Sequence, residues 1–583
     1  MHARMEVSSG WPALSIAEAH ARLTAPGSRF EMETVEIRSV PTRVWKHAPR
    51  SLRSVLENMR AFSQRTCLVY GDERASYADF LRATSALAHA LLELGVRRGD
   101  RVALIMRNLP EWPVALFAST SIGAIATPCN AWSSGPELEH ALRDSGASLA
   151  IIDGERLERV APHLGATQVR SVLVTRPRGE LALPASILQR PLTQILGEVN
   201  AWSRLPERAL PELELAPDDD ALIFYTSGTT GKPKGAVVTH RNACSNTLTT
   251  ACAQARAFLR RGQEPPLPDP NAPQRAMLLA VPMFHVMGCM PWLIAGLNGG
   301  QKLVLMHKWD AGQALALIER ERITQAGGVP TMAWQLLEHP ARSQHDLSSL
   351  ESVSYGGAPA APELVRRLRD AFPHARASNG WGMTEVTSSY ASNGAEDYQA
   401  RPGSCGVAAP TNDWKIMSED GSHELPRGQP GELWVKGPQV VRGYWNDPEA
   451  TAHSFDQGWL KTGDIAYLDD EGFCYLVDRA KDMLIRGGEN IYCVEVENAL
   501  QEHPAVLDVA VVGAPHAVLG EEPVAIVQLR RGHEVSEDAL RAFARERLAA
   551  FKVPVRVLWS DEPLPRNAAG KLQKQELRRR VSG

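Results

Sequence analysis

The 583-residue chain carries almost no excess charge: 63 basic side chains stand against 67 acidic ones, a net of −4. With no basic surplus to neutralise a phosphate backbone, nucleic acid is excluded as a partner. The cluster Arg578–Arg580 reads as solvated tail. The eight cysteines (67, 129, 244, 252, 289, 405, 474 and 493) form no CxxC pair and no Cys/His ligand spacing. That excludes a disulfide framework and a zinc centre, and predicts buried reduced thiols. No apolar run approaches the roughly 20 residues of a membrane-spanning helix. MHARMEVSSGWPALSIAEAHARL lacks the continuous apolar core of a secretory leader. A cytoplasmic protein without a transmembrane segment is therefore expected; peripheral membrane association and homodimerisation stay open. Internal repeats and long low-complexity tracts are also lacking.

What is present is length and alternation. A chain of this size exceeds what one hydrophobic core supports, so at least two domains are expected. From about residue 51, helical and strand-like patterns alternate. Leu52, Val55, Leu56, Met59 and Phe62 recur at helical spacing, and Ser76 stands as a cap before SYADFLRATSALAHALLELGV. RVALIM (101–106) and SLAIID (148–153) are short apolar runs of the buried-strand kind. LPERALPELELAPDDD and GQEPPLPDPNAPQ read as loops because their prolines can continue neither ladder nor helix. Near 430–480 the texture turns to GELWV, GYWND and GFCYLVD, short strands with tight turns. The expected fold is α/β: a large N-terminal domain of helix-covered sheets with a β-rich subdomain, then a small mobile α+β domain. The boundaries are an N-terminal extension over 1–48, a large domain over 49–480 with its β-rich part at about 405–480, and a small domain over 482–583. The extension is read as an added strand pair or an interface.

YTSGTTGKPKG (225–235) concentrates glycine, hydroxyls and lysine between two strand-like runs, ALIFYT and AVVTH. It is not the phosphate loop that opens a helix, because Thr226 replaces the first glycine and Pro233 follows Lys232. A hairpin loop can still close on phosphate through backbone amides, hydroxyls and lysine charge.

The same stretch resembles the signature loop of the adenylate-forming superfamily, which includes acyl-CoA synthetases, luciferases and peptide-synthetase adenylation domains. PMFHVMG (282–288), YGGAP (355–359), WGMTE (381–385), KTGD (461–464), DRAKDMLIRGGENIY (478–492) and PRNAAGK (565–571) follow in that family's order. The resemblance implies a carboxylic acid attacking the α-phosphate of ATP, with charge neutralisation and positioning as the main catalytic work. It assigns Thr226, Ser227, Gly228, Thr229, Thr230, Gly231, Lys232 and Lys234 to the ATP phosphates. Thr384 would contact the α-phosphate, and Glu385 with Thr226 would hold Mg²⁺. Gly356, Gly357, Ala358 and Pro359 would lie flat against adenine. Asn379, Gly380, Trp381, Gly382 and Met383 continue the nucleotide site. Trp381 stands where the family more often has tyrosine, and either ring can stack on adenine. Asp464 would accept from both ribose hydroxyls and Arg479 would reach ribose or phosphate. Lys571 would bridge the attacking carboxylate and the α-phosphate, a junction suited to a compact charge.

The second half-reaction requires that lysine to leave. Lys481 is the implied hinge, after which Gly487, Gly488 and Glu489 would line the thiol's approach. Cys493, where many relatives have proline, is not read as a nucleophile. His285 occupies the place of the aspartate that pairs the ammonium group in amino-acid-activating relatives, so the acid should carry an apolar tail. Val329, in QAGGVPTMAW, joins that wall. The expected protein is an acyl-CoA synthetase using ATP, Mg²⁺ and CoA, with medium- or long-chain fatty acids favoured. Aryl or polycyclic acids, an acyl-AMP ligase loading a carrier protein, a luciferase-type oxidase and a non-catalytic nucleotide binder are the alternatives.

Overall fold

The computed structural model describes residues 11–582 apart from 180–182, 227–232, 268, 270, 359, 361, 480–481, 488, 517 and 568–569. Two large sheets share one core. The first has seven strands, in the order Gly235–Thr239, Asp220–Tyr225, Ile125–Pro128, Arg101–Ile105, Leu149–Asp153, Ser171–Thr175 and Leu188–Pro191. All neighbours are parallel except the antiparallel pair at the first edge. Leu149–Asp153 and Ser171–Thr175 are buried at every position, as expected of strands covered on both faces.

The second sheet has nine strands, and its centre runs Arg376–Met383, Ser352–Gly356, Gln325–Gly328, Ala276–Leu279, Lys302–Leu305 and Thr66–Tyr70. Helix Glu111–Ser121 lies in the shared core and is buried on every face, so it lacks a polar stripe. Its Trp112 and Phe117 pack in one cluster with Leu104 and Leu222 of the first sheet and Leu68, Met277 and Leu303 of the second. Ser76 caps helix Tyr77–Glu93 through a reciprocal box with Asp79.

Strands Asp413–Met417, Gly431–Lys436, Phe455–Asp456, Trp459–Leu468 and Cys474–Arg479 form a five-stranded antiparallel sheet beside the nine-stranded one. A further five-stranded sheet is built on the long hairpin Val506–His516 and Gly520–Leu529. Helix Cys493–Gln501 covers it on one side and helix Lys574–Ser582 on the other.

The first described residues are docked. Met32–Ile37 pairs with Val40–Trp45, and helix Ile16–Leu23 lies on helix His240–Arg260. Arg260 is buried, grips the Asp397 carboxylate and donates to the Leu14 carbonyl at 2.7 Å. All eight cysteines are free and buried. Among the described residues no helix is long and apolar enough to cross a membrane.

Candidate active site

A cleft of about 1010 Å³ opens between the nine-stranded sheet, the five-stranded antiparallel sheet and the C-terminal sheet. Gly357, Ala358, Asn379, Gly380, Trp381, Gly382, Asp464, Arg479 and Lys571 all line it. These residues reach one place because strands Ser352–Gly356 and Arg376–Met383 run parallel in register, with Tyr355 opposite Asn379 and Gly356 opposite Gly380. Both strands end at the cleft, the usual location of ligand sites in open parallel sheets. Gly382 is required by the sheet itself: a Cβ there would lie 1.6 Å from the Ser388 carbonyl oxygen. Gly357 has φ +76°, and a side chain would meet the Met287 sulfur.

Asp464 is the polar centre of this cleft. Its carboxylate is buried, accepts from the Trp381 indole N–H at 2.8 Å and pairs with the Arg479 guanidinium at 3.2 Å. One lone pair on each oxygen is thereby used, and the residue lines the cleft. The Trp381 ring packs edge-on against Tyr390 with centroids 5.6 Å apart. The sequence suggested a ring for stacking on adenine; the structure gives this indole an orienting hydrogen bond to the neighbouring carboxylate.

Glu385 lies in the tight turn after strand Arg376–Met383, where Thr387 and Ser388 have φ of +55° and +81°. Its carboxylate accepts from the Tyr444 hydroxyl at 2.9 Å. Burial and the Glu385 charge push the Tyr444 hydroxyl well above its usual range. Lys234 Nζ sits 5.2 Å from the Tyr444 ring centroid, so Glu385 and the base of the 225–235 hairpin meet on one aromatic. Thr226 and Lys234 close that hairpin: the Thr226 amide donates to the Lys234 carbonyl at 2.9 Å. Ser227, Gly228, Thr229, Thr230, Gly231, Lys232, Pro359, Lys481 and Gly488 lie outside the described residues.

Lys571 is presented by a short closed loop. The Asn567 amide donates to the Lys571 carbonyl at 2.9 Å, and Asn567 Oδ1 accepts the Lys571 amide at 3.0 Å. Arg566 holds the loop from behind, donating to the Gly570 carbonyl and, through Nη2, to both oxygens of Asp508. His285 is half-buried, its Nε2 shielded from solvent and without a hydrogen-bond partner among the described residues; loss of solvation, then the Lys571 charge, pushes its imidazole down to about 4, so it is neutral near pH 7. Val329 packs against the loop at Gly570. Gly487 and Glu489 sit on a separate hairpin of the C-terminal sheet and do not line the cleft in this arrangement. Met383 and Thr384 are half-buried where the strand enters the turn.

Three residues carried no signal in the linear chain. Tyr444 looked like strand texture, and Arg566 like the flank of a lysine motif. Asp478 is buried, accepts from the Cys493 amide at 2.5 Å and the Arg479 amide at 2.8 Å, and is pushed up to about 6 by burial against the pull of Lys574. Cys493 itself donates its thiol to the Asp482 carbonyl at 3.1 Å, and burial raises that thiol well above its usual range.

Residues 55–445 match the family described as AMP-binding enzyme, and residues 495–571 match the AMP-binding enzyme C-terminal domain. A feruloyl-CoA synthase of an Amycolatopsis species is 38% identical over 88% of this chain and 96% of its own length. A long-chain-fatty-acid–CoA ligase of Bacillus subtilis (strain 168) is 34% identical over 91% of this chain and 94% of its own. Among solved structures, an anthranilate CoA ligase in complex with anthranoyl-AMP superposes with a TM-score of 0.79 at 26% identity, covering 91% of this chain and 97% of that one.

Proposed function

Because the chain belongs to the AMP-binding enzymes, the adenylate-forming family whose members here are AMP-forming acid–thiol ligases, we propose that it activates an aryl carboxylic acid and passes the acyl group to CoA. The observation that carries this reading is the wall beyond Lys571. His285 is neutral there, Met332 and Val281 close on Gly328, Met287 closes on Gly357, and Val329 lies against Gly570, an apolar wall. Gly328 and Gly357 let Met332 and Met287 approach the backbone closely, which brings two thioether sulfurs, favourable neighbours for an aromatic ring, into this wall. The feruloyl-CoA synthase resemblance points the same way. A medium- or long-chain fatty acid is the second reading, supported by the Bacillus subtilis relative and by methionines that can repack around a flexible chain.

In the first step Lys571 neutralises the approach of carboxylate to α-phosphate, with Thr384 on that phosphate. Asp464 accepts from the ribose hydroxyls, oriented by Trp381 and Arg479. Glu385 suits Mg²⁺ because Tyr444 anchors it at Oε1 and its second oxygen can coordinate, and Thr226 would add a hydroxyl. Bound Mg²⁺ would offset charge on the phosphates. In the second step the lysine withdraws about Lys481, and Gly487, Gly488 and Glu489 approach the thiol's path.

A screen of acids differing in length and ring content, run with and without CoA, tests the reading. Hydroxycinnamate-type acids giving CoA-dependent AMP release are expected. Turnover confined to aliphatic acids would replace the aryl reading by the fatty-acid one, and AMP release indifferent to CoA would favour a carrier-loading or oxidase chemistry.

A further inference from the structure

Helix Pro330–Glu338 touches the C-terminal domain at both of its ends. At its start Val329 lies against Gly570, the residue before Lys571. At its end Glu338 pairs with Arg530, which follows strand Gly520–Leu529 of the C-terminal sheet. The two contacts are about nine residues apart along the helix, roughly 12–14 Å. Trp334 and Glu338 share a face because they are four positions apart. The Trp334 ring is flanked by two guanidinium groups, Arg367 at 5.3 Å and Arg530 at 5.4 Å from its centroid. Glu338 Oε1 also accepts from Arg367 at 3.1 Å. Arg367 belongs to the large domain and Arg530 to the small one, so one carboxylate and one indole hold cations from both. The site is sheltered, with the Arg530 side chain 16% and the Glu338 side chain 24% exposed. Partial burial strengthens both the ion pair and the cation–aromatic contact over their fully exposed counterparts.

We propose that Trp334, Glu338 and Arg530 form an interdomain latch that sets the population of the arrangement in which Lys571 occupies the cleft. They are positioning residues acting on Lys571 through the seat of the small domain. Withdrawal of Lys571 carries Arg530 off the Trp334 face, so the latch favours the first half-reaction and is broken for the second. This rests on the two-step ligase reading.

The test has a conformational arm and a kinetic arm. The native cysteines are buried, so Ser343→Cys and Glu534→Cys, both at exposed positions, accept a donor and acceptor dye for single-molecule distance measurement. Glu338→Gln, Arg530→Gln and their combination should each lower the closed-to-open ratio about tenfold, the double variant no more than either single one. Acid-dependent ATP–pyrophosphate exchange should fall in kcat with KM for ATP unchanged. Thioester formation from a pre-made acyl-adenylate should hold or rise, and Arg530→Lys should restore most of the loss. Unchanged dye distances, additive effects, or equal loss of both half-reactions would overturn the latch. A wild-type protein without acid-dependent exchange would instead refute the ligase reading, and the dye distances would still decide the latch.

Discussion

Replacing Trp381 by phenylalanine removes the indole N–H that fixes Asp464 while leaving a ring in the same packing site. The lost bond is to a charged acceptor, a class worth about 1.5–3 kcal/mol. Asp464 keeps Arg479 on its other oxygen, and water from the cleft can reach the vacated one, so the lower end applies, about 1.5 kcal/mol. If the carboxylate is the ribose acceptor, that energy appears as lost orientation for the nucleotide. KM for ATP should rise about tenfold, with kcat changed less than about twofold. The smaller ring also leaves unfilled volume against Tyr390 and should cost a further 1–2 kcal/mol or so of stability, visible as a lower Tm. The assay is acid-dependent ATP–pyrophosphate exchange across ATP concentrations, beside calorimetric ATP binding without acid. Trp381→Tyr, which keeps a donor on a shorter ring, should recover part of the affinity. An unchanged KM with a fall in kcat, or a fall in stability alone, would refute the orienting role and leave Trp381 a packing residue.

Lys571→Ala should abolish exchange by two orders of magnitude or more, the scale expected for a charge aimed at a developing anion, while ATP still binds; full exchange in that variant would remove the catalytic assignment. Asp478→Asn tests the buried carboxyl at the domain junction. Its value in the folded protein, about 6, lies above that of an unfolded aspartate, so its ionisation opposes folding. The neutral form's contribution is complete below about pH 4 and is lost as pH rises through 6. The variant should match wild type at pH 4 and be more stable by about 1–3 kcal/mol at pH 8; parallel pH profiles in chemical denaturation would exclude this.

Much of the architecture is readable because it is local. Runs such as LAIID and SVLVT, apolar at their centres and buried throughout, occur where both sheet faces are covered, and Ser76 with Asp79 marks a helix start within four residues. The motifs carry the nucleotide residues for a similar reason: glycines such as Gly382 are fixed by their own strand's neighbours. What stays hidden is every relation between distant positions. Nothing in GWGMTE says that its indole meets Asp464, 83 residues on. Nothing in GYWND says that Tyr444 holds Glu385. Trp334, Glu338, Arg367 and Arg530 have the composition of an ordinary solvated surface, and only the docking of two domains makes them a cluster. The acid is hidden for another reason, since the wall is set by methionine rotamers that spacing does not encode.

The docking of the N-terminal segment also dictates an order of folding. Helix Ile16–Leu23 leaves the ribosome early, yet its partners are helix His240–Arg260 and, through Ile16, Val407 and Phe473. At about 5–20 residues per second, the roughly 220 residues that separate it from helix His240–Arg260 take about 10–45 s to follow, and Val407 and Phe473 come later still. The segment therefore waits for that time with its apolar face uncovered, and its Ile16 end is sealed only once residues 407–473 are in place. Chaperone occupancy during synthesis should concentrate there, and a chain stalled before residue 397 leaves Arg260 without the carboxylate that neutralises it.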